Sequence, residues 1–208
     1  MARSSSAYLW AAIAALTALL FVGAWLGLRS VADSVAQAAP TKTAVDERYA
    51  RYVAPADRCP GADSLTASAP VQQQTTICLL NYARRVEGLP ELSTSPLLMR
   101  SAELKAAQIL RCEQFSHEAC GSDVRQSFAD SGYFRSDVQV AFGENLAWGG
   151  SEAGSPRGAL LGWLDSAEHR ANLFKAEWRE QGLALAYAPS FRGVEDSRIW
   201  VSHFGRQG

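Results

Sequence analysis

The chain has 208 residues, 48% of them apolar and 20% charged, with a formal net charge of -1. That composition is globular and long enough for one domain with a real core. Near-neutral charge argues against nucleic acid as partner, because phosphate recognition needs a basic excess.

The first segment, residues 1–29, does not read as part of a globule. Arg3 precedes an uncharged, mostly apolar run over residues 7–28, with Trp10 and Trp25 near its ends. At a rise of ~1.5 Å per residue such a run spans roughly 33 Å, enough to cross a bilayer as an N-terminal anchor. Ala36-Gln37-Ala38 offers a small-residue cleavage site, the mark of a signal peptide instead. Length favours the anchor. Both readings export the remainder and place it outside the cytoplasm, either membrane-associated or secreted.

Residues 30–74 are rich in Ala, Pro, Ser, Thr and Gln without sustained periodicity, and read as a linker or stalk that gains order near Cys59. The domain is expected over 75–208. Thr75 or Thr76 starts a helix with Ile77, Leu80, Ala83 and Arg84 at helical spacing, and Gly88 stops it. An extended connector, Leu89-Pro90-Glu91-Leu92, leads to Ser95 and Pro96, a cap and a first-turn proline. Leu98, Ala102, Ala106, Ile109 and Leu110 form the buried face of that second helix, which ends near Cys112. A short helix follows over 123–130, a strand over 138–147, a helix over 156–164, and a helical turn capped by Ser166 that holds His169. The tail reads as strands over 182–187 and 198–204, joined by a polar loop over 189–197. Early helices and late strands give an α+β class.

Cys59, Cys78, Cys112 and Cys120 are even in number and lack the paired spacing of a zinc site. In an exported chain they read as disulfides, with three connectivities open. Sequence proximity favours Cys59–Cys78 and Cys112–Cys120, the second closing a short loop around His117.

Three histidines carry the candidate chemistry. His117 sits in a loop and His169 at a helix start, neither an obvious core filler. Neutral imidazoles ligate zinc and titrating ones shuttle protons. Glu144, in Gly143-Glu144-Asn145, is the candidate third ligand or general base. His203 lies in Trp200-Val201-Ser202-His203-Phe204, where alternation pairs it with Val201 on one strand face, and it reads as a strand histidine without a site role. Trp148, Trp163, Trp178 and Trp200 read as core. There is no H-E-x-x-H helix, no G-x-S-x-G elbow and no phosphate-binding glycine loop.

Six motifs occur in order: Leu80-Asn81-Tyr82-Ala83-Arg84-Arg85 with Gly88-Leu89-Pro90-Glu91-Leu92; Phe115-Ser116-His117; Gly143-Glu144-Asn145-Leu146-Ala147; Trp163 with Ser166-Ala167-Glu168-His169-Arg170-Ala171-Asn172-Leu173; Gly182-Leu183-Ala184; and Trp200-Val201-Ser202-His203-Phe204-Gly205. Together they resemble a bacterial member of the CAP superfamily, the cysteine-rich secretory, antigen 5 and pathogenesis-related proteins with SCP-like domains, over about residues 75–205. The resemblance implies an α-β-α sandwich with a three- to four-stranded antiparallel sheet between helical layers. It also implies a cleft of histidines and glutamates that binds divalent metal in some members, with His117 and Glu144 on the cleft positions. The second glutamate of larger members falls on Ser166, and their H-Y-T-Q histidine has no counterpart. His169 fits the shorter bacterial S-P-G-H-R-x-N pattern, with Ala167 and Glu168 in place of its proline and glycine. The candidate metal set is therefore His117, Glu144 and His169, with Glu168 as a substitute acid and zinc as the metal.

Two functions follow as expectations. One is a non-enzymatic binding module of the cell envelope that holds a lipid, sterol or glycan. The other is a metal-assisted hydrolase of an envelope polymer, in which Glu144 activates water.

Overall fold

The structure, a computed structural model, describes residues 47–208. The apolar run over 7–28 and the Ala36-Gln37-Ala38 site lie outside the described residues. No helix among the described residues is long and apolar enough to cross a membrane.

Helix α1 (Ala69–Val86) starts earlier than its cap-like threonines suggest, with Pro70 in the first turn. Gly88, at φ 72°, takes the left-handed turn that ends it. A two-residue strand β1 (Ser93–Thr94) leads into α2 (Pro96–Cys112), and α3 (Val124–Asp130) follows the loop that carries His117. Asp123 caps α3 by accepting from the Arg125 amide at 2.7 Å. Strand β2 (Val140–Gly149) precedes α4 (Pro156–Asp165) and α5 (Ala167–Leu173), capped by Ser155 and Ser166. The chain ends in a long hairpin of β3 (Glu180–Phe191) and β4 (Val194–Gln207).

The sheet order is β1-β3-β4-β2. Its longer pairs are antiparallel, but β1 runs parallel to β3, so the sheet is mixed and not purely antiparallel. The cause is the extended connector before α2: it lies along the start of β3, with Ser93 N donating to Arg179 O at 3.0 Å and Ser95 N to Gln181 O at 2.9 Å. The expected polar loop over 189–197 is also shorter than anticipated. Only Arg192 and Gly193, at φ 50° and 81°, stand between paired strands, because a two-residue turn with both φ positive matches the strand twist.

Period-two alternation sorts the sheet into two cores. Leu183, Leu185, Trp200 and Phe204 pack with α1, α4 and α5 around Trp163 and Trp178. Ala184, Ala188, Ile199, Val201 and Leu146 pack with Ala102, Ala106 and Ile109 of α2. The α-β-α layering expected from the resemblance is thus built. A third cluster around Phe128 and Tyr133 closes the end of the α2 layer.

The stretch expected to be linker belongs in part to the fold. Tyr49, Tyr52, Ala54, Cys59 and Ala62 are buried in the first core. Tyr49 Oη accepts from Arg170 at 3.0 Å, the Tyr52 ring sits 5.3 Å from Phe174, and Arg51 and Tyr52 both bond Glu87. The folded unit therefore starts well before residue 75: aromatic anchors offset the ordering cost of an otherwise polar strap. Both expected disulfides are present, Cys59–Cys78 pinning this strap to α1 and Cys112–Cys120 closing the His117 loop.

Candidate functional site

The site sits at the β2 edge of the sheet, where side chains from both layers meet. Residue 144 lies on the face of β2 that looks toward α2, in register with His203 on β4. Glu144 is almost wholly buried, its side chain 1% exposed, and each of its oxygens is engaged. His117 Nδ1 contacts Oε1 at 2.6 Å, and His203 Nε2 contacts Oε2 at 2.8 Å. Behind it, His203 Nδ1 meets Ser101 Oγ at 2.9 Å, and the ring stacks on Phe128 at 4.2 Å between centroids.

Helix α2 supports this row twice. Ser101 and Lys105, four residues apart, share one helical face. The buried Lys105 ammonium donates to the His117 main-chain carbonyl and so holds the loop that carries the imidazole. The Cys112–Cys120 bridge holds the same loop covalently.

His169 arrives from the opposite layer. Ser166 Oγ accepts from the His169 amide at 3.4 Å, and the His169 carbonyl accepts from Asn145 Nδ2 at 2.9 Å. Asn172 donates to Asn145 Oδ1 at 2.9 Å and to the Glu144 carbonyl at 3.2 Å, while Trp178 Nε1 caps Asn172 O at 2.8 Å. The conspicuous Glu144-Asn145 and Arg170-Ala171-Asn172 motifs thus lock α5 onto the edge strand. His169 lies within electrostatic reach of His117 and makes no hydrogen bond to Glu144 among the described residues.

The electrostatics follow from these contacts. Burial alone would raise the Glu144 carboxyl, but hydrogen bonds from His117 and His203, with Lys105 nearby, outweigh it and hold the group below the ordinary carboxylate range. The bond to Glu144 raises His117 against partial burial. Burial lowers His203 despite its carboxylate partner, and burial followed by the charge of His117 lowers His169. Burial also lowers Lys105, against the pull of Glu144, Glu118 and Asp123.

The sign of each shift sets a pH window. The depressed His203 and His169 contribute stability that is present above about pH 6.5, the ordinary imidazole value, and lost as pH falls through their folded values. The raised His117 contributes stability that is present below about pH 6.5 and lost as pH rises through its folded value. Thermal stability should therefore peak near neutrality, and His117→Asn should flatten the decline between about pH 6.5 and 8 while keeping the acid decline. A decline above neutrality that survives this substitution would contradict the assignment of His117.

The structure brings two of the sequence-based metal candidates into contact. His117 and Glu144 meet, each oxygen of the acid is engaged by one histidine, and Glu168 is exposed. No group of three His, Cys, Asp or Glu side chains among the described residues is arranged to hold a metal ion. His203, read as a strand residue without a site role, instead takes the second oxygen of Glu144. Its signal was present: period-two alternation put it on the face opposite Ser202, but only the sheet order brings that face to Glu144.

Beside His117 lies an open cleft of about 510 Å³, lined by Glu113, Gln114, Phe115, Ser116, Glu118 and Arg192. Phe115 leans on Trp148, which meets Phe191 edge-on at 5.4 Å.

The comparisons agree with this architecture. The family described as CAP: Cysteine-rich secretory protein family matches over residues 78–204. The chain is similar to an extracellular protein containing a SCP domain from Bacillus anthracis, at 25% identity and TM-score 0.53, covering 66% of this chain and 41% of that one. It thus spans less than half the length of that relative. An outer surface protein from Borrelia burgdorferi has the same fold at 17% identity and TM-score 0.54, covering 66% of this chain and 93% of that one. No curated protein matches the chain. With the family spanning 78–204 and a sheet covered by helices on both faces carrying its motifs, the chain belongs to the CAP, or cysteine-rich secretory protein, family.

Proposed function

We propose that this protein is an extracytoplasmic binding module whose cleft, walled by the loop that carries His117, takes a glycan of the cell envelope. The observation that carries the reading is the commitment of both Glu144 oxygens to histidines. An acid held this way braces two imidazoles, which supports a structural role for Glu144 over that of general base. What faces solvent is a hydrogen-bonding edge: His117 is 52% exposed on its side chain, beside a cleft lined by carboxylates, an amide, a hydroxyl and a guanidinium around one aromatic ring. Sugars offer matching hydroxyls and a ring face, whereas a lipid tail or sterol would desolvate those polar groups without pairing them.

Location outside the cytoplasm is supported by two disulfides, which persist in oxidising compartments, and by the extracellular and outer-surface descriptions of the similar proteins. A divalent ion would find two imidazoles here, His117 and His169, fewer than the three or four protein ligands zinc ordinarily takes.

Calorimetric titration of the purified protein with N-acetylhexosamine oligosaccharides tests the reading, with zinc, a sterol and anionic phospholipid vesicles as comparison arms. Binding of the oligosaccharide, weakened about tenfold (~1.4 kcal/mol) by His117→Ala and by Arg192→Ala, is the expected result. Binding to sterol or vesicles alone would replace the glycan with a lipid ligand. Zinc bound at one equivalent and lost in His117→Ala would restore the metal reading.

A further inference from the structure

The row of contacts behind His117 has a direction. Glu144 is an acceptor at both oxygens, so each histidine must present a hydrogen to it. His203 then carries its proton on Nε2, and its Nδ1 is left as an acceptor for the Ser101 hydroxyl, which donates at 2.9 Å. At the other oxygen His117 must carry its proton on Nδ1, at 2.6 Å. The sequence of donors therefore runs from Ser101 inside α2 to His203 and thence to Glu144, and from His117 to the same carboxylate.

We propose that His203 is a positioning residue for His117: by occupying one oxygen of Glu144 and stacking on Phe128, it fixes the carboxylate so that His117 keeps its proton on Nδ1 and leaves Nε2 unprotonated. The grip has three sources. His203 is wholly buried between β4, α2 and α3, so its ring has little freedom. The carboxylate fixes its tautomer, and the Ser101 hydroxyl donates to the nitrogen that remains. Lys105 holds the backbone of His117 from the same helical face as Ser101. Of the other charged groups nearby, Glu118 and His169 face His117 without bonding its ring, so the tautomer is set from the buried side.

One consequence rests on the reading of the cleft as a ligand site. When the ring is neutral, Nε2 is a hydrogen-bond acceptor, and the ligand group meeting it must be a donor such as a sugar hydroxyl. The positioning role itself does not depend on the ligand.

Two-bond proton–nitrogen correlation spectra of the nitrogen-15-labelled protein at about pH 9, where imidazoles are neutral, read the tautomers directly. The protein should show His117 as the Nδ1–H form and His203 as the Nε2–H form. His203→Gln, which keeps an N–H donor at a similar reach, should preserve the His117 form. His203→Leu, which keeps volume and removes the donor, should turn His117 into a mixture of tautomers. An unsubstituted protein with His117 protonated on Nε2 would overturn the proposal even if the leucine variant fails to fold. A folded leucine variant with His117 unchanged would overturn it equally. Because the readout contains no ligand, its failure is distinct from failure of the oligosaccharide titration.

Discussion

Glu144→Ala should cost about 3 kcal/mol and lower the melting temperature by about 6–12 °C for a domain of this size. The reason is the burial of what it leaves behind. The wholly buried His203 would retain an N–H with no acceptor, and His117 would lose the short contact that orders its ring. Removing one partner from a buried hydrogen-bonded set costs more than the set contributes, because the remaining group stays desolvated. Glu144→Gln should recover part of the loss. Its amide oxygen can accept from His117, and its NH₂ can donate to His203 once that ring moves its proton to Nδ1 and donates to Ser101. Differential scanning calorimetry of the three proteins decides this. An alanine variant melting within about 2 °C of the parent would mean the row contributes no stability.

Gly182→Ala should be at least as damaging, at about 3 kcal/mol, near the upper end for overpacking. A Cβ at this position would sit 2.1 Å from the Leu98 carbonyl carbon and 2.3 Å from the Met99 nitrogen. Both are backbone atoms of the first turn of α2, so no side chain can swing aside and the helix must lift from β3. Ser101 and Lys105 lie on that helix, and lifting it would loosen both His203 and the His117 loop. Gly162→Ala is the matched control. It is exposed in α4 with nothing within 4 Å of the added carbon, and it should stabilise by about 0.5–1 kcal/mol through helix propensity. Equal melting temperatures for the two alanine variants would contradict the close approach of α2 to the sheet.

Much of the scaffold was legible from local chemistry. Ser95 with Pro96, Gly88 and Ser166 mark helix ends because caps and left-handed turns act within a few residues. The two disulfides followed from proximity. The pairing of His117 with Glu144 was legible as a candidate, since loop histidines and a carboxylate beside glycine are poor core fillers.

The remainder of the site depends on contacts between distant residues. His203 and Glu144 are 59 residues apart and become cross-strand partners only because β4 inserts between β3 and β2. Lys105 and Ser101 carry no sequence signal of their own on α2, because a lysine on a helix ordinarily faces water, although the pair flanks the Leu98, Ala102 and Ile109 stripe. The strap lacks periodicity and so resembles a linker in sequence. Tyr49 and Tyr52 anchor it individually, and isolated aromatic anchors leave no repeating pattern to read.

The bond between Cys59 and Cys78 also bears on how the domain answers a pull. Tension entering from the N-terminal side would peel Tyr49 and Tyr52 from their seats and pay out the thirteen residues over 47–59, about 45 Å of slack at full extension. There it meets a covalent crosspiece into α1. The load then passes to the helix and its buried core, while the loop bearing His117, closed by a separate crosspiece, stays out of the line of force.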